Sequence, residues 1–163
     1  MTRAFQSKLT VAIGPGPVPT AEIRALCGEL ESELSGLYTQ EQRHGLALDA
    51  IFQPHIRFFV ARMNGAAVGC GGVAMFPDFA EIKRMYVRRE VRGRGVADAI
   101  IARLEAEASS AGLRVLRLET GANSVAAIRF YERCGFAPCA GFEPHSAMPS
   151  DSIVTSVFLE QPL

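Results

Sequence analysis

Apolar residues recur along this chain with two different periods. Ile23, Leu26, Cys27, Leu30 and Leu34 fall at three- and four-residue steps, which predicts a helix. Thr20 is placed to cap it, Glu22 lies in its first turn, and Gly36 ends it near Ser35. Ahead of it, Leu9–Ile13 reads as a short strand broken by Gly14-Pro-Gly-Pro17. Phe58 and Val60 then alternate with Arg57, Phe59 and Ala61, so Ile56–Arg62 is expected to be a strand with at least one buried face. Asn64-Gly65 predicts a tight hairpin to Ala67–Phe76. Gly69, Gly71 and Gly72 inside that return strand imply a bulge or a close backbone approach. Pro77-Asp78 turns the chain into a third strand, Ala80–Val87.

The helical period returns with Val96, Ile100, Leu104, Ala108 and Ala111 on one face, stopped by Gly112. Leu113–Thr120 reads as a strand and Ala126–Cys134 as a helix ended by Gly135. Phe136–Cys139 and Ile153–Leu159 form a last strand pair across a long loop, Ala140–Ser152. Residues 37–55 carry little pattern beyond a short helix near Leu46–Phe52. The helix between Ala80–Val87 and Leu113–Thr120 is a crossover, which implies that these two strands are parallel. The expected fold is a mixed α/β sheet, with an antiparallel meander, a parallel pair and helices on both faces.

Composition narrows the partners. The 163 residues suit one domain spanning 1–163, and 48% hydrophobic residues supply its core. Net charge is zero, against the basic surplus expected of a nucleic-acid binder. No apolar run reaches a membrane span, and the first residues lack the apolar centre of a signal peptide, so the expectation is a soluble cytoplasmic protein without nucleic-acid or membrane partners. Cys27, Cys70, Cys134 and Cys139 have no zinc spacing, so no metal is expected and the thiols read as structural. His44, His55 and His145 each read as loop or surface residues, with His145 a candidate substrate contact.

The chemistry concentrates at the junction Val87-Arg-Arg-Glu-Val-Arg92-Gly-Arg-Gly-Val-Ala97. Gly93 and Gly95 let backbone N–H groups converge, and a helix starting there adds its own unpaired N–H groups and a partial positive charge. Arg88, Arg89, Arg92 and Arg94 surround them, so the junction is an anion cradle for a small phosphate compound. A P-loop is absent, and Gly93-Arg-Gly95 does not continue as a dinucleotide fingerprint.

Arg92-x-x-Gly95-x-Ala97 does resemble the R/Q-x-x-G-x-G/A signature of the GNAT-type N-acetyltransferases. Glu81-Ile-Lys-Arg-Met-Tyr-Val87 resembles their fourth strand, and Ala127-Ile-Arg-Phe-Tyr131-Glu-Arg-Cys-Gly135-Phe136 resembles their A-I-x-L-Y-E-K-x-G-F segment. The resemblance covers roughly residues 56–137 closely. It implies the GNAT fold and acetyl-CoA as co-substrate. The pyrophosphate would lie on Arg92, Gly93, Arg94, Gly95, Val96 and Ala97, and the pantetheine arm on the backbone of Met85, Tyr86 and Val87. It makes Tyr131 the acid that protonates the leaving thiolate, against an aromatic that only packs on the cofactor. It makes Glu81 the base for the amine, against a plain ion pair with Lys83 or Arg84. Glu119 is a weaker candidate. Where the family often has asparagine this chain has Ser124, with Asn123 one residue early; either is a CoA contact or a helix cap. The expected reaction is direct acetyl transfer to the primary amine of a small molecule in a ternary complex. Acetylation of a protein lysine or N-terminus, or CoA binding without turnover, stand as alternatives. The resemblance also allows a homodimer.

Overall fold

The computed structural model describes residues 10–43, 47–145 and 155–163. Leu9, His44, the start of the helix expected from Leu46 and the strand start at Ile153 lie outside them. The described strands form one seven-stranded sheet in the order β1-β2-β3-β4-β5-β7-β6. Strand β1 (Val11–Pro15) precedes helix α1 (Ala21–Ser35), and Leu48–Phe52 forms a short 3-10 turn. Strands β2 (Ile56–Met63), β3 (Ala66–Met75) and β4 (Ala80–Val87) make the antiparallel meander. Helix α2 (Val96–Ser110) crosses to β5 (Val115–Gly121), which runs parallel to β4. Helix α3 (Val125–Arg133), β6 (Ala137–Pro138) and β7 (Ser156–Pro162) complete the chain. The parallel crossover and the final antiparallel pair are as the sequence predicts.

Both faces of the sheet are covered, and the strand alternation states why. Phe58 and Val60 of β2 pack with Ile23, Leu26 and Cys27 of α1. Phe59 and Ala61 pack with Val96, Ile100 and Leu104 of α2 and with Tyr131 of α3. The expectation of at least one buried face on β2 is met, and both faces are buried. Thr20 caps α1, accepting from the Ile23 N–H at 3.3 Å. Ala111, expected on the buried face of α2, is exposed because the helix has already ended at Ser110.

The glycines of β3 do both things their presence implies. A Cβ on Gly69 would lie 2.9 Å from the Tyr86 carbonyl, and one on Gly71 2.9 Å from Ile100 of α2. Their bare backbone lets α2 settle directly on the sheet. The β3–β4 register also slips between Cys70 and Gly72, so Gly71 faces both Arg84 and Met85. This is a β-bulge, and Arg84 at its apex is held at φ 52°. Before the bulge Ala80 and Ile82 face α2; after it Met85 and Val87 do. The one-residue slip leaves Glu81, Lys83 and Arg84 on the α1 side.

Candidate active site

Strands β4 and β5 touch only at their starts. Ala80 pairs with Leu116 and Glu81 with Arg117, and no further rungs follow. Beyond that point the strands diverge and open a wedge, a cavity of about 740 Å³ that runs between α1, α2 and α3.

One end of the cavity is backbone. Arg92, Gly93, Gly95, Val96 and Ala97 line it. Gly93 and Gly95 adopt φ of 76° and 83°, and Gly95 is the N-cap of α2. A Cβ on either would meet nothing within 4 Å, so the space over the turn is open. The first-turn N–H groups of α2 and the positive end of its dipole face that space. The geometry fits the oxygens of a pyrophosphate. The surrounding arginines are not a reserve of charge for it, contrary to expectation. Arg88 is bonded to Glu29 at 2.9 Å, and Arg89 and Arg92 to Glu33 at 2.8 Å, both carboxylates on α1. Arg92 also donates to the Val87 carbonyl at 2.8 Å and lies over the Tyr86 ring. These side chains clamp the loop to α1. Arg94 is exposed and does not line the cavity.

The middle of the cavity lies at the bulge. Met85, Tyr86 and Val87 line it from β4 and Tyr131 from α3. The Tyr131 hydroxyl donates to Met85 Sδ at 3.6 Å. Burial, with a smaller push from Cys134, raises the Tyr131 hydroxyl far above its ordinary range. Beneath the bulge, the buried Cys70 thiol donates to the Arg84 carbonyl at 3.5 Å.

The far end is made of side chains. Glu81 is 1% exposed. Its Oε1 accepts from Lys83 Nζ at 2.8 Å and lies 2.5 Å from His145 Nε2. Glu81 Oε2 is buried without a hydrogen-bond partner among the described residues. The expected ion pair with Lys83 is present; Arg84 instead pairs with Glu31 of α1. His145 is a correction: it is buried, not at the surface, and stacks edge-on to Phe142 and tilted to Phe158. No periodicity in Ala140–Ser152 announces this, because the contact joins positions 64 residues apart. Glu119 lines the cavity from β5.

Asn123 and Ser124 also line the cavity; Ser124 is the N-cap residue of α3, but its side chain makes no capping bond. Ser124 Oγ is 2.9 Å from the Tyr38 hydroxyl, and Asn123 Nδ2 donates to the Leu37 carbonyl at 3.3 Å. They fasten the start of α3 to the segment after α1. Tyr38 crosses so close to β5 that a Cβ on Gly121 would fall 2.1 Å from its hydroxyl. Residues 37–43, the stretch with the least sequence pattern, thus roof the cavity. Among the described residues no cluster suits a metal ion, and no helix is long and apolar enough to cross a membrane.

A splayed parallel pair with a backbone anion cradle on one side and a buried carboxylate on the other defines a class of acyl-transferring folds, and the comparisons agree. The acetyltransferase (GNAT) family matches residues 23–136. The chain is 39% identical over 140 residues to an IAA acetyltransferase of Azospirillum brasilense, covering 85% of this chain and 88% of that one. It is similar to the crystal structure of a Klebsiella pneumoniae protein assigned as an acyl-CoA N-acyltransferase, with TM-score 0.76 and 32% identity, covering 94% and 98% of the two chains. A Bacillus anthracis protein assigned as a streptothricin acetyltransferase, solved in complex with acetyl coenzyme A, shares the fold at TM-score 0.59 and 22% identity, covering 72% of this chain and 69% of that one. The chain belongs to the GNAT family and is an acetyl-CoA-dependent N-acetyltransferase.

Proposed function

We propose that this chain transfers acetyl from acetyl-CoA to the primary amine of a small molecule by direct attack within a ternary complex. The observation that carries the reading is a single wedge with the α2 cradle, the β4 bulge with Tyr131, and buried Glu81 in sequence along it. Acetyl-CoA supplies the activated thioester. The N–H groups of Gly93 to Ala97 hold its pyrophosphate, and the backbone of Met85, Tyr86 and Val87 pairs with its arm as an added strand. The ladder breaks at the bulge, and a backbone N–H of this strand, Met85 being the candidate, would stabilise the oxyanion that develops on the thioester carbonyl.

Two protons must move. An alkyl ammonium has a pKa of about 10, so the amine must first be deprotonated. Glu81 receives that proton, while Lys83 and His145 hold its Oε1. Tyr131 is the acid at the thiolate. Burial keeps its hydroxyl protonated, so it is a standing donor, now resting on Met85 Sδ, that can turn to the sulfur as charge develops there. Ser124 and Asn123 act through Tyr38 and Leu37, holding the roof and α3 together rather than gripping the cofactor.

The depth of the wedge favours a small acceptor over a protein surface: Glu81 is buried and a carboxylate on a flat groove would not be. Thiol release measured with acetyl-CoA against a panel of small amines, amino acids and lysine peptides tests the reading. Turnover with small amines supports it; turnover with peptides alone overturns it.

A further inference from the structure

Two donors meet on one oxygen of the buried Glu81 carboxylate, and they arrive by different routes. Lys83 stands two residues away on the same strand and donates to Oε1 at 2.8 Å. His145 comes from 64 residues away and places Nε2 2.5 Å from the same atom. An ionised carboxylate only accepts, so Nε2 carries the hydrogen in this contact. Lysine brings a compact charge on a flexible stem with rotatable donors, which fixes no direction. The imidazole aims its N–H in the plane of a ring, and that ring is held. Phe142 meets it edge-on at 5.6 Å and Phe158 tilts against it at 6.0 Å. Phe142 and Phe158 pack on each other at 5.4 Å, and Phe79 meets Phe142 edge-on at 5.4 Å. Arg117 lies over the Phe79 and Phe142 rings at 4.6 Å and 5.4 Å and is tied to Glu160 at 3.0 Å. Arg117 is also the strand partner of Glu81 on the last rung between β4 and β5. The packed rings therefore stand at the apex of the wedge, beside the carboxylate, and hold His145 at 4% exposure.

From this arrangement we infer that His145 is a positioning residue for acetyl transfer: it fixes the direction of the Glu81 carboxylate, and Phe142 and Phe158 fix His145. The inference rests on the acetyl-transfer reading above, in which Glu81 is the base. A general base works only when its oxygen stands within reach of the proton it takes, and a displacement of about 1 Å can cost on the order of 10²-fold. The terminal torsion of a glutamate is broad, so β4 sets where the side chain starts and leaves the plane of its carboxylate free. Lys83 balances the charge, and the clamped imidazole removes the remaining freedom. His145 touches no reacting atom in this scheme and acts through Glu81 alone. A histidine that merely filled space among the phenylalanines would be replaceable by leucine.

The test measures turnover with acetyl-CoA by thiol release, using butylamine, benzylamine, ethanolamine and glycine, and CoA binding by calorimetry, on the whole chain and its variants. His145→Leu keeps the bulk and removes the donor. It should lower kcat by on the order of tenfold to a hundredfold for whichever amine turns over, with KM for that amine and CoA affinity within about twofold. His145→Gln returns an N–H near the position of Nε2 and should recover most of the loss. Combining His145→Leu with Glu81→Gln should be no slower than Glu81→Gln alone, because a residue that acts through Glu81 has then nothing left to position. Undiminished kcat in His145→Leu overturns the inference. So does a Gln variant as slow as the Leu one, or losses that multiply in the double variant, since both mark a packing role. If His145→Leu loses CoA binding, and so its fold, His145→Asn takes its place against Gln, because the shorter amide falls away from Glu81. The acetyl-transfer reading fails separately. No turnover of any amine by the unsubstituted protein, or undiminished kcat in Glu81→Gln, strikes that reading and the inference with it; a slow Glu81→Gln beside a fast His145→Leu strikes the inference alone.

Discussion

The two ends of the cavity are built by different means. The cradle at α2 is backbone: two glycines in positive φ and a helix N-terminus, all within the run from Arg92 to Ala97. The acceptor end is side chains gathered from Glu31, Arg43, Glu81, Lys83, Arg84 and His145, across more than a hundred residues of chain. A backbone site is set by local conformation, so few substitutions within it are tolerated and its pattern is visible. A side-chain site is set by tertiary approach, so it can be re-specified one residue at a time. The co-substrate end suits a ligand that never changes; the acceptor end suits one that does.

Four substitutions press on this contrast, from the largest expected effect to the smallest. Gly95→Glu puts a side chain and a negative charge into the cradle at φ 83°, and calorimetry should find CoA binding abolished. CoA affinity that survives would mean the backbone end is not the cradle. Glu81→Gln keeps the shape but removes the proton acceptor. It should lower kcat by roughly 10²-fold or more with little change in CoA affinity. An unaltered kcat would reduce Glu81 to the ion pair with Lys83.

Tyr131→Phe should cost about 10-fold or more in kcat, again without loss of CoA affinity, since its hydroxyl donates to Met85 Sδ and to no other partner among the described residues. Equal losses in turnover and CoA binding would assign it a packing role. Smallest is Glu33→Gln. Burial pushes the Glu33 carboxyl up, but hydrogen bonds from Arg89 and Arg92 outweigh this and leave it below 4.5. A lowered carboxyl stabilises the fold above that ordinary value and loses the contribution as pH falls through the lowered one. The variant should lose about 1 kcal/mol or less at neutral pH, read by denaturant unfolding, with the deficit vanishing in acid.

The same contrast explains what could be read from the sequence. Period-two and period-3.6 patterns placed β2, β3, β4, α1 and α2 because each buries a regular face. Gly93 and Gly95 announced the turn into α2 because turn geometry is a local property. Tyr131 and Glu81 were legible only through resemblance to a family motif. His145 was not legible at all, since nothing around it in the chain dictates that it meets Glu81. The arginines around the glycines read as ligand charge; their partners Glu29 and Glu33 lie more than fifty residues earlier, on a helix whose docking only the fold reveals. Arg43 sits in the stretch with no period, and its pairing with Glu31 of α1 follows only from the fold.

The sheet is continuous in strand order yet nearly severed between β4 and β5, where two rungs carry the whole junction. Side-chain packing of Leu116, Leu118 and Leu159 under α2 spans the gap, but the backbone ladder does not. The strands β1–β4 and β5–β7 are therefore two plates joined at one corner. A ligand laid along the opening acts as mortar between them, adding hydrogen bonds to a strand edge that has none to its neighbour. Amide exchange in the second halves of β4 and β5 should slow on cofactor binding more than anywhere else in the sheet, because that is where the molecule leaves its own architecture to be finished by what it binds.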